Sequence, residues 1–152
     1  MIKFFIFISL FAFCAAFAGN DLPININVTQ DNIGRTICSA GYTSIIRPKT
    51  IVTNKIKKQM MIDAGLNPLK AYQYELDHII PLAVGGHPND PRNFMLQPWD
   101  GEDGAKSKDK LEVRLQCLVC TGAIELRPAQ EAIYYDWKAA YAAYMGIPCK
   151  RR

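Results

Sequence analysis

The sequence predicts an α+β fold in which a short hairpin is packed with helices, and three observations predict it. Two short apolar runs, residues 72–80 and 94–97, flank a segment rich in Gly, Pro, Asn and Asp. Apolar residues recur at helical spacing once before the first run and twice after the second. The order helix, strand, loop, strand, helix, helix leaves too little strand for a large sheet.

Taken in order, residues 1–18 read as a secretory signal peptide. Lys3 supplies the positive start, residues 4–13 are almost entirely apolar, and Ala16-Phe17-Ala18 fits small-x-small cleavage. The apolar stretch is short for about 30 Å of hydrocarbon, so no stable membrane association is expected after cleavage. Residues 19–36 are polar with scattered Ile and Val and read as an arm of uncertain order. Residues 37–152 then form the single expected domain.

Ile45-Ile46-Arg47-Pro48 reads as an extended piece ended by proline. A helix follows, with Thr53 as its expected cap, Ile56, Met60, Met61 and Ala64 at helical spacing, and Gly65 as a left-handed stop. Residues 66–71 connect to the first strand, which Pro81 limits. Residues 83–92 hold Gly85, Gly86, Pro88, Asn89, Asp90 and Pro91 and must be a loop. After the second strand, Asp100-Gly101 and Asp103-Gly104 signal turns before a helix over 105–119, with Leu111, Leu115 and Leu118 on one face. The last helix has Pro128 in its first turn, an Ile133, Trp137 and Tyr144 repeat, and a stop at Gly146 and Pro148.

Composition narrows the partners less than the motifs do. Removing 18 residues from 152 leaves 134, and the net charge falls from +4 to +3 with Lys3. That balance does not establish nucleic-acid binding, which must come from a local patch. Cys38, Cys117, Cys120 and Cys149 remain, an even set that an oxidising compartment would pair into disulfides, with three pairings open. A zinc knuckle at Cys117-x-x-Cys120 would need a second pair of ligands at similar spacing, and the sequence has none.

The chemistry concentrates between Tyr74 and Glu112. Phosphodiester cleavage needs a base to deprotonate water and a cation to neutralise charge on the phosphorane. Asp77-His78 offers both partners side by side, because neutral imidazole titrates near working pH and a hard divalent ion prefers oxygen ligands. Adjacent strand residues face opposite sides, so convergence of the two would require the strand to end or twist there. An ordinary ion pair or a buried structural histidine would give the same dipeptide.

Asp77-His78-x-x-Pro81-Leu82, then Gly85-Gly86, then Asn93-Phe94, then a helix start followed by lysines resembles the HNH endonuclease family. More narrowly, the chain resembles its small exported bacterial members, through Cys38-x-x-Gly41-Tyr42-Thr43, Arg47-Pro48, Pro91-Arg92-Asn93, Lys108-Asp109-x-Leu111-Glu112, Cys120 and Asp136-Trp137. The resemblance implies a ββα-metal hairpin and helix packed with additional helices and braced by disulfides. It implies that His78 is the general base, that Asp77 is the first ligand of one divalent ion, Mg²⁺ or else Mn²⁺, and that the Asn93 amide holds the loop and so orients His78. It favours Cys38 pairing with Cys120, which leaves Cys117 and Cys149 for each other or as free thiols.

The third family position, normally His or Asn, departs from the pattern. Spacing from Lys106 points to Asp103 and alignment on Lys108-Asp109 points to Gly104, which has no ligand to offer. Asp103 is the expected second metal ligand, with Asp100 or Glu75 as substitutes. Arg92, Lys106 and Lys110 are the expected phosphate contacts, with Arg114 on the same stripe. His87 reads as a surface residue, Trp99 as a candidate for stacking on bases, and the aromatic residues of the last helix mostly as core.

These readings give an exported protein, periplasmic or secreted, that hydrolyses DNA, with RNA as a second substrate class, at low sequence specificity. The alternative is a non-catalytic exported binding module with a degenerate HNH site. A toxin variant of the first would require an inhibitor protein, which this chain does not show.

Overall fold

The structure is a computed structural model and describes residues 21–150. The expected signal peptide lies outside the described residues. The expected arm does not behave as one over the part described. Leu22 and Val28 are buried, Ile24 bridges Gly86 in antiparallel fashion, and the Asn25 amide donates to the Gly85 carbonyl at 2.8 Å. Its few apolar residues cover the back of the glycine-rich loop.

Helix α1, Tyr42–Ile46, stands where an extended piece was expected. Gly41, at φ 81°, makes the left-handed turn that starts it, and Arg47 returns to extended backbone ahead of Pro48. Helix α2, Thr50–Asp63, starts three residues before the expected Thr53 cap, with the extended Lys49 as its N-cap. The Thr53 hydroxyl instead bonds the Thr50 carbonyl at 3.1 Å inside the helix. Gly65, at φ 67°, follows the helix end as expected.

A 3₁₀ segment, Pro68–Gln73, replaces the first residues of the expected strand and is capped by the Asn67 side chain. Strand β1, Tyr74–His78, pairs antiparallel with strand β2, Phe94–Pro98, in the register that places His78 opposite Phe94 and Tyr74 opposite Pro98. Two short 3₁₀ turns, Leu82–Val84 and Pro91–Asn93, give the loop between them a fixed path. Among the described residues these are the only two strands, so the fold is α+β with a small sheet.

Helix α3, Ala105–Cys120, and helix α4, Leu126–Tyr144, pack against each other. Leu111, Leu115 and Val119 of α3 meet Ala129, Ile133 and Ala140 of α4, with Ile37, Ile80 and Val84 completing the core. The α4 backbone breaks at Asp136, φ −158° and ψ 91°, whose carboxylate then caps the amides of Lys138 and Ala139 at 3.0 Å each. Disulfides join Cys38 to Cys120 and Cys117 to Cys149. No helix among the described residues is long and apolar enough to cross a membrane.

Candidate active site at the end of strand β1

His78 is the last residue of β1 and is buried. Its ring lies against Phe94, the cross-strand partner, with centroids 4.9 Å apart. Nε2 sits 3.1 Å from the carbonyl of Pro88. A carbonyl only accepts, so this contact requires the proton on Nε2 and leaves the Nδ1 lone pair available. Burial is the largest influence on the ring and holds its pKa below the ordinary imidazole value, despite the Pro88 carbonyl and the Asp77 charge. The side chain is therefore a neutral base at neutral pH.

The loop that supplies the Pro88 carbonyl is pinned by one amide. Asn93 is fully buried, accepts from the Ile80 amide at 2.8 Å, and donates to the carbonyls of Ile80 at 3.0 Å and His87 at 2.9 Å. Gly86 closes the same loop, and a Cβ there would lie 1.8 Å from the Ile80 carbonyl oxygen. No side chain fits at that position.

Asp77 turns the other way, toward α3. Its Oδ1 accepts the His78 amide at 2.7 Å and its Oδ2 accepts the Lys108 ammonium at 2.8 Å. Lys108 also donates to the His78 carbonyl at 2.8 Å and to Glu112 at 2.6 Å, so its three protons are satisfied while its side chain is 1% exposed. Burial disfavours that charge, but Glu112 and Asp77 outweigh burial and hold the ammonium above the ordinary lysine range. Burial in turn raises the Glu112 carboxyl in spite of the ammonium beside it. The twist that would bring the Asp77 carboxylate and the His78 ring to one point is absent. Lys108 instead ties the carboxylate to the His78 backbone.

The expected ion does not find its expected pair of ligands. Asp103 is exposed and salt-bridged to Lys138 on α4, while Asp77 is engaged by Lys108. Asp100 is paired with Lys106 at 2.6 Å. Gly104, the other candidate third position, packs so tightly on the preceding turn that a Cβ would lie 2.7 Å from the Asp100 carbonyl carbon. Among the described residues no group of three or more His, Cys, Asp and Glu is arranged to hold a metal ion. Asp77 and Asp103 thus do not fit as ligands of one ion, and no chemical step is derived through one.

Glu75 carries a buried Oε2 with no hydrogen-bond partner. Burial, then the charges of Asp77 and Asp109, push its pKa up to about 7. It helps line a cavity of about 180 Å³ between the first turns of α2 and the sheet, together with His78, Arg47, Asn54, Lys57 and Trp99. A cavity of about 850 Å³ lies beside the two disulfides and contains none of these groups.

The expected phosphate contacts are largely engaged within the chain. Arg92 makes a forked pair with Asp90 at 2.7 Å, Lys106 pairs with Asp100, and Arg114 donates to the Ile147 carbonyl. Lys110 is exposed on α3. Sequence reasoning assigned no role to Lys108, and a signal for it was present. Its spacing to Leu111, Leu115 and Leu118 places it on the buried stripe of α3, where a lysine must have acid partners. No family model, curated protein or solved structure matches the chain.

Proposed function

We propose that the chain is an exported endonuclease that hydrolyses phosphodiester bonds in DNA, with RNA as a second substrate class, and that His78 is its general base. One observation carries this reading: a buried, neutral imidazole has one nitrogen tied to a loop carbonyl and the other available, at a cavity rimmed by cations. Nδ1 would take a proton from water as the water oxygen bonds to phosphorus, and the P–O3′ bond would break with protonation of the leaving oxygen from solvent. The products would be a 5′-phosphate and a 3′-hydroxyl. The antiparallel strands with α3 behind them, and the clamp at Asn93, are compatible with a ββα-metal arrangement. Contacts to phosphates rather than base edges give low sequence specificity.

The expected divalent ion, Mg²⁺ before Mn²⁺, enters this proposal only as a quantity to be measured, since Asp77 and Asp103 are engaged by lysines. The mature protein, residues 19–152, should nick supercoiled plasmid, and assays with Mg²⁺, with Mn²⁺ and with EDTA decide whether the reaction uses an ion. His78→Ala should reduce the rate by at least 10²-fold while the melting curve stays cooperative. Cleavage by that variant at the wild-type rate would remove His78 as the base. The second reading, a non-catalytic binding module, is favoured by the ammonium of Lys108 on Asp77. Nucleic-acid binding without cleavage across Mg²⁺, Mn²⁺, Ca²⁺ and Zn²⁺ would select it.

A further inference from the structure

The charge of the chain is unevenly placed. Between Asp31 and Asp63 there are six cationic residues, Arg35, Arg47, Lys49, Lys55, Lys57 and Lys58, and no carboxylate. With 18 cations and 14 acids overall, everything outside that segment is net −2, so the segment accounts for the whole positive balance. The fold sets this segment against the base. Arg47, Thr50, Thr53, Asn54 and Lys57 form the cavity wall facing His78.

The cations on this wall differ from those on α3. Lys57 is spent on the Tyr74 carbonyl at 2.6 Å, which fixes α2 to the start of β1. Among the described residues the side chains of Arg47, Lys49, Lys55 and Lys58 make no hydrogen bond or ion pair, and all four residues are exposed. The Arg47 charge is nonetheless close enough to bear on His78, Glu75 and Asp109. By contrast Arg92, Lys106 and Arg114 already have partners within the chain, and on α3 it is Lys110 that shares, among the described residues, the unpaired, exposed state of the α2 cations, outside the lining of the His78 cavity. On α2, Asn54 and Lys57 belong to the cavity stripe, and Lys55 and Lys58 fall on the adjoining stripe at helical spacing.

Resting on the nuclease reading above, we infer that the nucleic-acid strand runs along the α1–α2 edge, with Arg47 holding the scissile phosphate against His78. Lys49, Lys55 and Lys58 carry the flanking phosphates. A guanidinium suits the central position because its planar fork donates two parallel hydrogen bonds to phosphate oxygens. It neutralises charge on the phosphorane, which Lys108 cannot do because Asp77, the His78 carbonyl and Glu112 saturate its ammonium.

The test uses the mature protein, residues 19–152, carrying His78→Ala, so that binding is read without cleavage. The probe is a fluorescein-labelled 20-base-pair DNA duplex, followed by anisotropy from 20 to 300 mM KCl. Adding Arg47→Ala should lower the slope of log K against log salt by about 1, and Lys49→Ala/Lys55→Ala/Lys58→Ala by about 2 to 3. Lys106→Ala/Lys110→Ala should leave the slope within about 0.5 of the parent. In the protein that retains His78, Arg47→Ala should reduce the cleavage rate about 10²-fold, and Arg47→Lys should restore only part of it. Slopes that follow the α3 lysines and ignore the α2 set would overturn the surface. So would a parent that binds no duplex at 20 mM KCl. Neither result touches the His78 assignment, which stands or falls on cleavage by His78→Ala alone.

Discussion

Asn93 and His78 show how much a single side chain settles at this site. The Asn93 amide uses its oxygen and both of its protons on backbone groups, which fixes the loop that presents the Pro88 carbonyl to His78. That carbonyl selects the tautomer, and burial keeps the ring neutral. The pH dependence follows in sign. A base whose pKa is depressed in the folded state stays deprotonated below the ordinary value of about 6.5, so the acid limb of log kcat/KM should fall below pH 6.5. The same shift means that the unfolded chain binds the proton first, so this group reduces stability as pH drops through about 6.5. Glu75 acts oppositely, because a carboxyl raised to about 7 contributes stability that is full below its unfolded pKa and lost as pH rises through 7. A rate profile on plasmid nicking checks the first statement, and an acid limb above pH 6.5 would exclude His78 as a simple buried base.

At the scale of elements, the join between α3 and β1 is an ion network rather than an apolar contact. Lys108 reaches from the first turn of α3 to Asp77, Glu112 and the His78 carbonyl, with 1% of its side chain exposed. Removing one member of a buried network leaves charges without a counter-charge, a loss of roughly 3–5 kcal/mol for fully buried sets. Asp77 and Glu112 keep 12% and 18% exposure, so the lower end applies. Lys108→Met should lower the urea unfolding free energy by about 3 kcal/mol. Adding Glu112→Gln should recover part of it by removing one orphaned charge. A Lys108→Met protein as stable as the parent would show that the network positions His78 without stabilising the fold. The periodicity of α3 was legible from Leu111, Leu115 and Leu118, but a lysine inside that stripe reads as surface until its partners are known. For α1 the extended reading rested on Pro48, which restrains only Arg47 directly before it, while the left-handed turn at Gly41 starts a helix over the residues between.

Across the whole molecule the disulfides tie the segment ahead of α1 and the C-terminal end of the described chain to one end of α3. Cys38–Cys120 closes a separation of 82 residues and Cys117–Cys149 one of 32. In the chain-entropy account these correspond to about 4.5 and about 3.7 kcal/mol. Cys38→Ser/Cys120→Ser should therefore destabilise more than Cys117→Ser/Cys149→Ser in denaturant unfolding, and the reverse order would place the effect in the folded state instead. The sequence by itself determined the class of fold, the hairpin around the glycine-rich loop, both long helices, and the place of Asp77, His78 and Asn93 on that hairpin. Periodicity and turn chemistry are local, and those features are local. Only the tertiary structure decided which cations face His78, since the approach of Arg47 and the pairs Asp77–Lys108 and Asp103–Lys138 join residues far apart in the chain, and even the local pairs depend on the turn that brings them together. It gave Arg92 to Asp90, Lys106 to Asp100, Asp103 to Lys138 and Asp77 to Lys108, and it left Arg47 unpaired at the His78 cavity.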